Sequence, residues 1–182
     1  MPTTSQTSTT IPAPRPSGID LALFVLGTAL AMFLAYLSHT DGPTASPADG
    51  GPFEVSVWAV PGMLLVTLPM LWRTTAPFVA LGGLTAGLLA HVAIFGELVH
   101  CGAVYPIIAV LAYAVARRLR GRDRVIGFAL TMLAVFTTGA TEVLGIETVE
   151  MGIPLALLGF GLGAFVASRQ PLVAIREEMA TA

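Results

Sequence analysis

Every positively charged residue of this chain lies in a short segment beside a long apolar run. The nine basic residues are all arginines, and the stretch 117–124 contains more than half of them. The neighbouring apolar runs approach the roughly 20 residues that a helix needs to cross a bilayer. The chain is 55% hydrophobic and 11% charged, whereas a soluble domain carries about 25% charged residues. These features exclude a water-soluble globular fold.

Six apolar runs have the length and composition of transmembrane helices. They cover residues 19–38, 55–72, 77–96, 98–116, 125–141 and 151–168. The runs lack the two-residue alternation of a β-strand. Within the second run, Pro61 and Pro69 are expected to kink the helix, because proline has no backbone N–H and its ring crowds the preceding turn. The prediction is an all-α integral membrane protein with a bundle of six transmembrane helices.

The arginines define the expected orientation of this bundle. Under the six-span assignment all of them fall on one side, namely Arg15, Arg73, Arg117, Arg118, Arg120, Arg122, Arg124, Arg169 and Arg176. The opposite connections contain Asp and Glu but no arginine. The positive-inside rule then places both termini in the cytoplasm and the chain in the plasma membrane as a multi-pass protein. Arg73 and the arginines of 117–124 are thus predicted to set the topology, and they are also candidates for contact with lipid headgroups.

The predicted domain organisation has three parts. Residues 1–18 are rich in Thr, Ser and Pro and are expected to form a disordered N-terminal tail. Residues 19–168 form the six-helix transmembrane domain, and residues 169–182 begin a cytoplasmic linker helix. The first apolar run is longer than the 7–15 residues of a signal-peptide core, so it is interpreted as a retained span.

Three ionisable residues are candidates for sensing a stimulus. His91 lies within the third run, and an ionisable group inside a membrane is a functional hypothesis by default. His100 and Glu142 belong to an acidic rim at the predicted outer face, which would bind a cation or titrate with external pH. The structural alternatives are a hydrogen-bonded core histidine, and outer loops that are acidic because arginine is excluded from them. A haem or metal role for His91 lacks an evident axial partner.

Two G-x-x-x-G motifs point to close helix packing. Gly83 and Gly87 lie in the third run, and Gly159 and Gly163 lie in the sixth. Small residues at this spacing let helix backbones approach each other. The motif alone leaves open whether this packing occurs inside one bundle or between two copies of the chain.

The C-terminal segment has a second kind of periodicity. Leu172, Ile175 and Met179 follow one another at the three- and four-residue spacing of a coiled-coil seam. This pattern is typical of the first turns of a dimeric linker helix. An amphipathic helix end that lies on the membrane surface would show the same spacing.

Motifs that carry catalysis are absent from the sequence. It contains no phosphate-binding glycine loop, no H-E-x-x-H and no G-x-S-x-G. We therefore predict no catalytic residues, no cofactor and no metal site. The expected partners are the lipid bilayer and a homodimeric copy or another membrane protein, and no nucleic acid.

Three stretches nevertheless resemble a known family. They are "LPMLWRTTAPFVALGGLTAG" (68–87), "YPIIAVLAYAVARRLRGR" (105–122) and "SRQPLVAIREEMATA" (168–182). They resemble the N-terminal membrane domain of actinobacterial two-component sensor histidine kinases, including its arginine-rich cytoplasmic turns and its exit linker. In that family the linker continues to a phosphoacceptor histidine and an ATPase domain. None of His39, His91 and His100 matches that histidine, so the resemblance implies no catalytic residue in this chain.

The resemblance implies a non-catalytic sensor or input domain. Such a domain would pass a stimulus through its last helix to a cytoplasmic partner, either a kinase core missing by truncation or a separate kinase or response-regulator system. The alternative is a small transporter or an accessory subunit of a membrane complex. A transporter would show inverted repeats and helices broken at the midplane, but only the second run is interrupted by proline.

Overall fold

The described part of the chain is helical. The computed structural model describes residues 16–40, 56–96, 101–142 and 145–181, with residues 170–181 described as backbone only. The α-helices in these ranges are α1 (Gly18–Thr40), α2 (Ala59–Thr67), α3 (Pro77–Phe95), α4 (Val104–Arg118), α5 (Gly121–Thr141) and α6 (Val149–Thr181). Short 3₁₀ segments cover Leu68–Trp72, Cys101–Ala103 and Gly145–Thr148. The predicted all-α fold is confirmed.

Four of these helices are long and apolar enough to cross a membrane. The spanning segments are Gly18–Leu37, Pro77–Phe95, Gly121–Thr141 and Val149–Arg169. The other two helices are shorter, since α2 has 9 residues and α4 has 15 residues. The structure therefore supports a membrane protein with four helices of spanning length. The predicted count of six spans and the cytoplasmic location of both termini stay predictions.

The two prolines of the second run affect the backbone differently from the expectation. Pro61 lies in the first turn of α2, where a helix leaves backbone N–H groups unpaired in any case and proline is tolerated. Pro69 lies at the start of the 3₁₀ segment Leu68–Trp72. The α-helix therefore ends at Thr67, and the rest of the run forms a narrower 3₁₀ turn. The observed α-helix is shorter than the predicted one.

Helix α4 lies at the centre of the bundle. It contacts α3, α5 and α6, and residues from several of its faces are buried, including Val104, Ile108, Leu111 and Val115. Helix α1 packs mainly on α2 and the 3₁₀ segment that follows it. Helices α1 and α6 leave many apolar side chains exposed, such as Phe33 and Leu158.

A tight turn inside the arginine-rich stretch joins α4 to α5. Leu119 and Arg120 are extended, and Gly121 adopts a φ of 53°, a left-handed conformation that favours glycine. The Nε of Arg124 donates a hydrogen bond to the Leu119 oxygen at 2.9 Å. A cation at this position also complements the negative end of the α4 dipole.

Candidate functional site

Arg73 forms a buried ion pair with the first helix. Its Nε donates to Oδ1 of Asp20 at 2.7 Å, and the two side chains are 8% and 0% exposed. Oγ1 of Thr74 donates to the other carboxylate oxygen, Oδ2, at 2.6 Å. The connection that precedes α3 is thus attached to the start of α1 by charge-assisted hydrogen bonds, which are the stronger class of hydrogen bond.

Asp20 also takes part in capping the N-terminus of α1. The backbone N–H and the hydroxyl of Ser17 both donate to Oδ2 of Asp20, while the Asp20 N–H donates back to the Ser17 hydroxyl. This reciprocal pattern is a capping box with Asp in place of Glu or Gln. The Ser-x-x-Asp spacing just before an apolar run is the sequence signal for this role, and Asp20 was not among the predicted site residues.

The remaining arginines of the predicted topological set lie at the end of α4 and the start of α5. The side chains of Arg117, Arg118, Arg120 and Arg122 are exposed, whereas that of Arg124 is partly buried. Arg73 therefore differs from the arginines of 117–124, because its charge is compensated by a carboxylate inside the bundle.

The predicted packing glycines lie against neighbouring helices of the same chain. A Cβ at Gly87 would overlap the backbone oxygen of Leu65 in α2, and a Cβ at Gly83 would approach Pro69 at 3.0 Å. Helices α2 and α3 are therefore antiparallel and in close backbone contact.

The second motif joins α6 to α4 in the same way. A Cβ at Gly159 would overlap the backbone oxygen of Ala109, and one at Gly163 would overlap that of Tyr113. Because the residue numbers increase together on both helices, α4 and α6 run parallel. At Gly87, Gly159 and Gly163 the absence of a side chain allows the two backbones to touch.

Two of the three candidate sensing residues, His91 and Glu142, are described and are buried. His91 is 2% exposed, and its Nε2 lies 3.1 Å from the backbone oxygen of Ala59. A carbonyl oxygen only accepts, so Nε2 carries the proton and Nδ1 is left as an acceptor. This Nδ1 and Oε2 of Glu142 are buried without a hydrogen-bond partner among the described residues. His100 lies outside the described residues.

Neither of these residues belongs to a described metal cluster. Across the described ranges, no group of three His, Cys, Asp or Glu side chains is close enough to hold a metal ion. His91 instead packs against the ring of Phe95, with the ring centroids 5.0 Å apart. Its observed surroundings are those of a core histidine with one unused acceptor.

A lateral groove lies between α1 and α6, with α4 as its floor. Its cavity has a volume of about 540 Å³, within the roughly 300–1,000 Å³ of typical ligand sites. The apolar lining includes Leu23 of α1, Val110 of α4, and Leu155, Leu158 and Leu162 of α6. Sequence reasoning did not find this groove, because it results from the spacing between helices that are distant in sequence.

One end of the groove is basic. Arg73, Thr74, Arg117 and Arg118 all line the cavity. Since Arg73 is paired with Asp20, the uncompensated charge comes from the two exposed arginines at the end of α4. The groove therefore combines an apolar channel with a cationic mouth, which suits an elongated amphiphile with a negative end.

The predicted linker seam lies within the last helix. Leu172, Ile175 and Met179 belong to α6, which continues through residue 169 without interruption. Their side chains lie outside the described residues, so the structure gives no contact for the seam. The last cationic side chain described on this helix is Arg169, whose guanidinium carbon lies 4.9 Å from the centre of the Phe165 ring.

Comparison of the chain with protein-family models, with curated proteins and with solved structures finds no match.

Proposed function

We propose that this protein is a non-catalytic membrane sensor domain of the two-component histidine kinase type. In this proposal it has six spans, with both termini in the cytoplasm and the bundle in the plasma membrane. The lining of one cavity end by Arg73, Arg117 and Arg118 supports an orientation in which the arginine-bearing connections share one side. The short helices α2 and α4 would cross with the help of their flanking 3₁₀ segments.

The observation that carries the proposal is the continuity of α6. This helix has 33 residues, which corresponds to about 50 Å at 1.5 Å per residue. The hydrocarbon core of a bilayer is only about 30 Å thick. A single helix would therefore extend from the membrane into the cytoplasm, where its displacement would reach a partner directly. Its backbone hydrogen bonding is interrupted locally at Pro154 and Pro171, because proline has no N–H to donate.

Transmission would depend on how α6 is held in the bundle. Its contact with α4 at Gly159 and Gly163 joins two backbones without intervening side chains. A stimulus acts only through a free-energy difference between two arrangements of such a contact. His91 and Glu142 are the candidate inputs, because each has a buried polar atom without a described partner, and His100 is retained with them as a predicted input.

The test is a fusion of the full chain, through α6, to the cytoplasmic core of a related histidine kinase. One to seven alanines inserted after Ala182 would rotate the kinase helices by about 100° per residue. We expect autophosphorylation to vary with the helical phase and to recover near the seventh insertion. The matched control is a flexible Gly-Ser insertion of seven residues. It should not restore the autophosphorylation that seven alanines restore, because it interrupts the helix. Activity that ignores the helical phase would contradict the proposal.

A further inference from the structure

We propose that the groove between α1 and α6 is a binding site for an anionic phospholipid. The phosphate would lie at the basic mouth near Arg117 and Arg118, and an acyl chain would lie along α4 toward the middle of the bundle. The groove shares helix α6 with the proposed transmission path, but lipid binding requires only that the bundle lies in a membrane, so this proposal does not depend on the proposed function.

The two ends of the groove differ in polarity in the way that a phospholipid requires. Arg117 and Arg118 are exposed at the mouth and line the cavity. A guanidinium offers a planar set of N–H donors that matches phosphate oxygens, and it keeps its charge at any physiological pH. The mouth would therefore favour a negative headgroup over a zwitterionic one of the same size.

Arg73 contributes to the mouth in a different way. Its Nε–H is engaged by Asp20, and this pairing holds the guanidinium in place with its charge compensated. A guanidinium has five N–H donors, so its terminal nitrogens provide further hydrogen bonds to a phosphate. Thr74 beside it lines the same cavity.

The walls indicate that the ligand enters from the bilayer. Ile19 of α1 is 68% exposed, and Leu158 and Leu162 of α6 are 60% and 52% exposed. These side chains line the groove and also face its surroundings, so the groove opens sideways. Leu155 and Leu162 are about 10 Å apart along the helix axis, which gives an apolar track two turns long. A lipid chain would fill this track without leaving the hydrocarbon phase.

The charge requirement is tested on the full chain in detergent by native mass spectrometry with phosphatidylglycerol and phosphatidylcholine. We expect one retained phosphatidylglycerol per chain and little retained phosphatidylcholine. The variant R117Q/R118Q lacks the two arginines that would contact the headgroup, and it should bind phosphatidylglycerol about 30-fold more weakly. This expectation assigns about 1 kcal/mol of binding free energy to each lost charge. The matched control is R120Q/R122Q, which removes the same charge from the adjoining turn outside the groove lining. It should change binding less than about 3-fold, because exposed charges without direct contact to the phosphate act only through screened solvent.

The apolar track is tested with a second pair of variants. Leu158 lines the groove and the neighbouring Leu157 does not, although both are exposed on α6. L158W should place a bulky ring in the track and reduce the retained lipid at least several-fold, whereas L157W should leave it unchanged.

Several outcomes would overturn the proposal. They are equal retention of the two lipids, equal losses in the two arginine variants, or binding that L158W does not reduce. A dimer that forms without lipid and is broken by L158W would identify a second copy of the chain as the occupant instead. Because lipid retention is measured without any kinase, failure of the fusion experiment would leave this result standing.

Discussion

The spanning segments of the first and last helices are similar in length and apolar character, but the two helices are attached to the bundle by different interactions. Both α1 and α6 are long and apolar, and both leave most of their surface uncovered by the rest of the chain. Helix α1 is held by polar groups, through the Asp20–Arg73 ion pair and a hydrogen bond between the hydroxyls of Thr28 and Thr67. Helix α6 is held by backbone contact, because Gly159 and Gly163 have no side chains.

This difference shows that hydropathy does not determine how a membrane helix is attached. Polar attachments are directional, and each fails when one partner is removed because the other stays buried. Glycine contacts form because no side chain separates the two backbones, and an added methyl group disrupts them. The groove lies between these two differently attached helices, so each kind of variant would also change its shape.

The largest effect is expected from breaking the ion pair. Arg73→Ala would leave the carboxylate of Asp20, which is 0% exposed, without its cation. Removing one member of a buried pair typically costs about 3–5 kcal/mol. Denaturant unfolding of the protein in detergent, followed by circular dichroism, would measure this loss. Arg120→Ala removes an exposed arginine and should change stability by less than about 0.5 kcal/mol. Similar stabilities of the two variants would show that α1 is not held by this pair.

The second effect concerns the attachment of α6. Gly159→Ala should destabilise the protein by about 1–3 kcal/mol, since the added methyl group would overlap the backbone of Ala109 and push the helices apart. Gly161→Ala is the control on the same helix, because a Cβ there meets open space. It should be neutral or slightly stabilising through its better helix propensity. Thermal unfolding of both variants makes the comparison, and an equal loss in both would contradict backbone contact at Gly159.

The smallest effect is expected from the hydroxyl pair on α1. The Thr28 hydroxyl donates to Thr67 at 2.8 Å, and the Thr67 hydroxyl donates in turn to the backbone oxygen of Met63 at 3.1 Å. A double-mutant cycle with T28V, T67V and the double variant should give a coupling energy of about 0.6 kcal/mol, the average for such bonds in membrane bundles. A coupling near zero would leave the ion pair as the main polar attachment of α1.

The parts of the fold that depend on local pattern were predictable. Apolar runs with no β alternation predicted the helices. The G-x-x-x-G spacing predicted close packing, and the structure places Gly87, Gly159 and Gly163 against the backbone of a neighbouring helix and Gly83 against the ring of Pro69. The early end of α2 at Thr67 was less predictable. Pro69 was expected to kink a longer helix, but it begins a 3₁₀ segment instead.

The candidate site was only partly predictable. Arg73, Arg117 and Arg118 were singled out for their charge and their place between apolar runs. Asp20 was not selected as a site residue. It lies 53 residues from Arg73 in the sequence, and only the tertiary structure joins the two in an ion pair. The partly buried Tyr113 had no distinguishing signal either, yet it lines the groove.

The sequence alone determined that this chain forms apolar helices and in which connections its positive charges lie. Both properties follow from the transfer of short segments between water and a membrane, so they can be evaluated one segment at a time. The tertiary structure alone decided that Asp20 meets Arg73, that α6 runs parallel to α4, and that a groove remains between α1 and α6. These features depend on how close separate helices come and on how each is rotated about its axis. Both quantities result from packing the whole bundle at once.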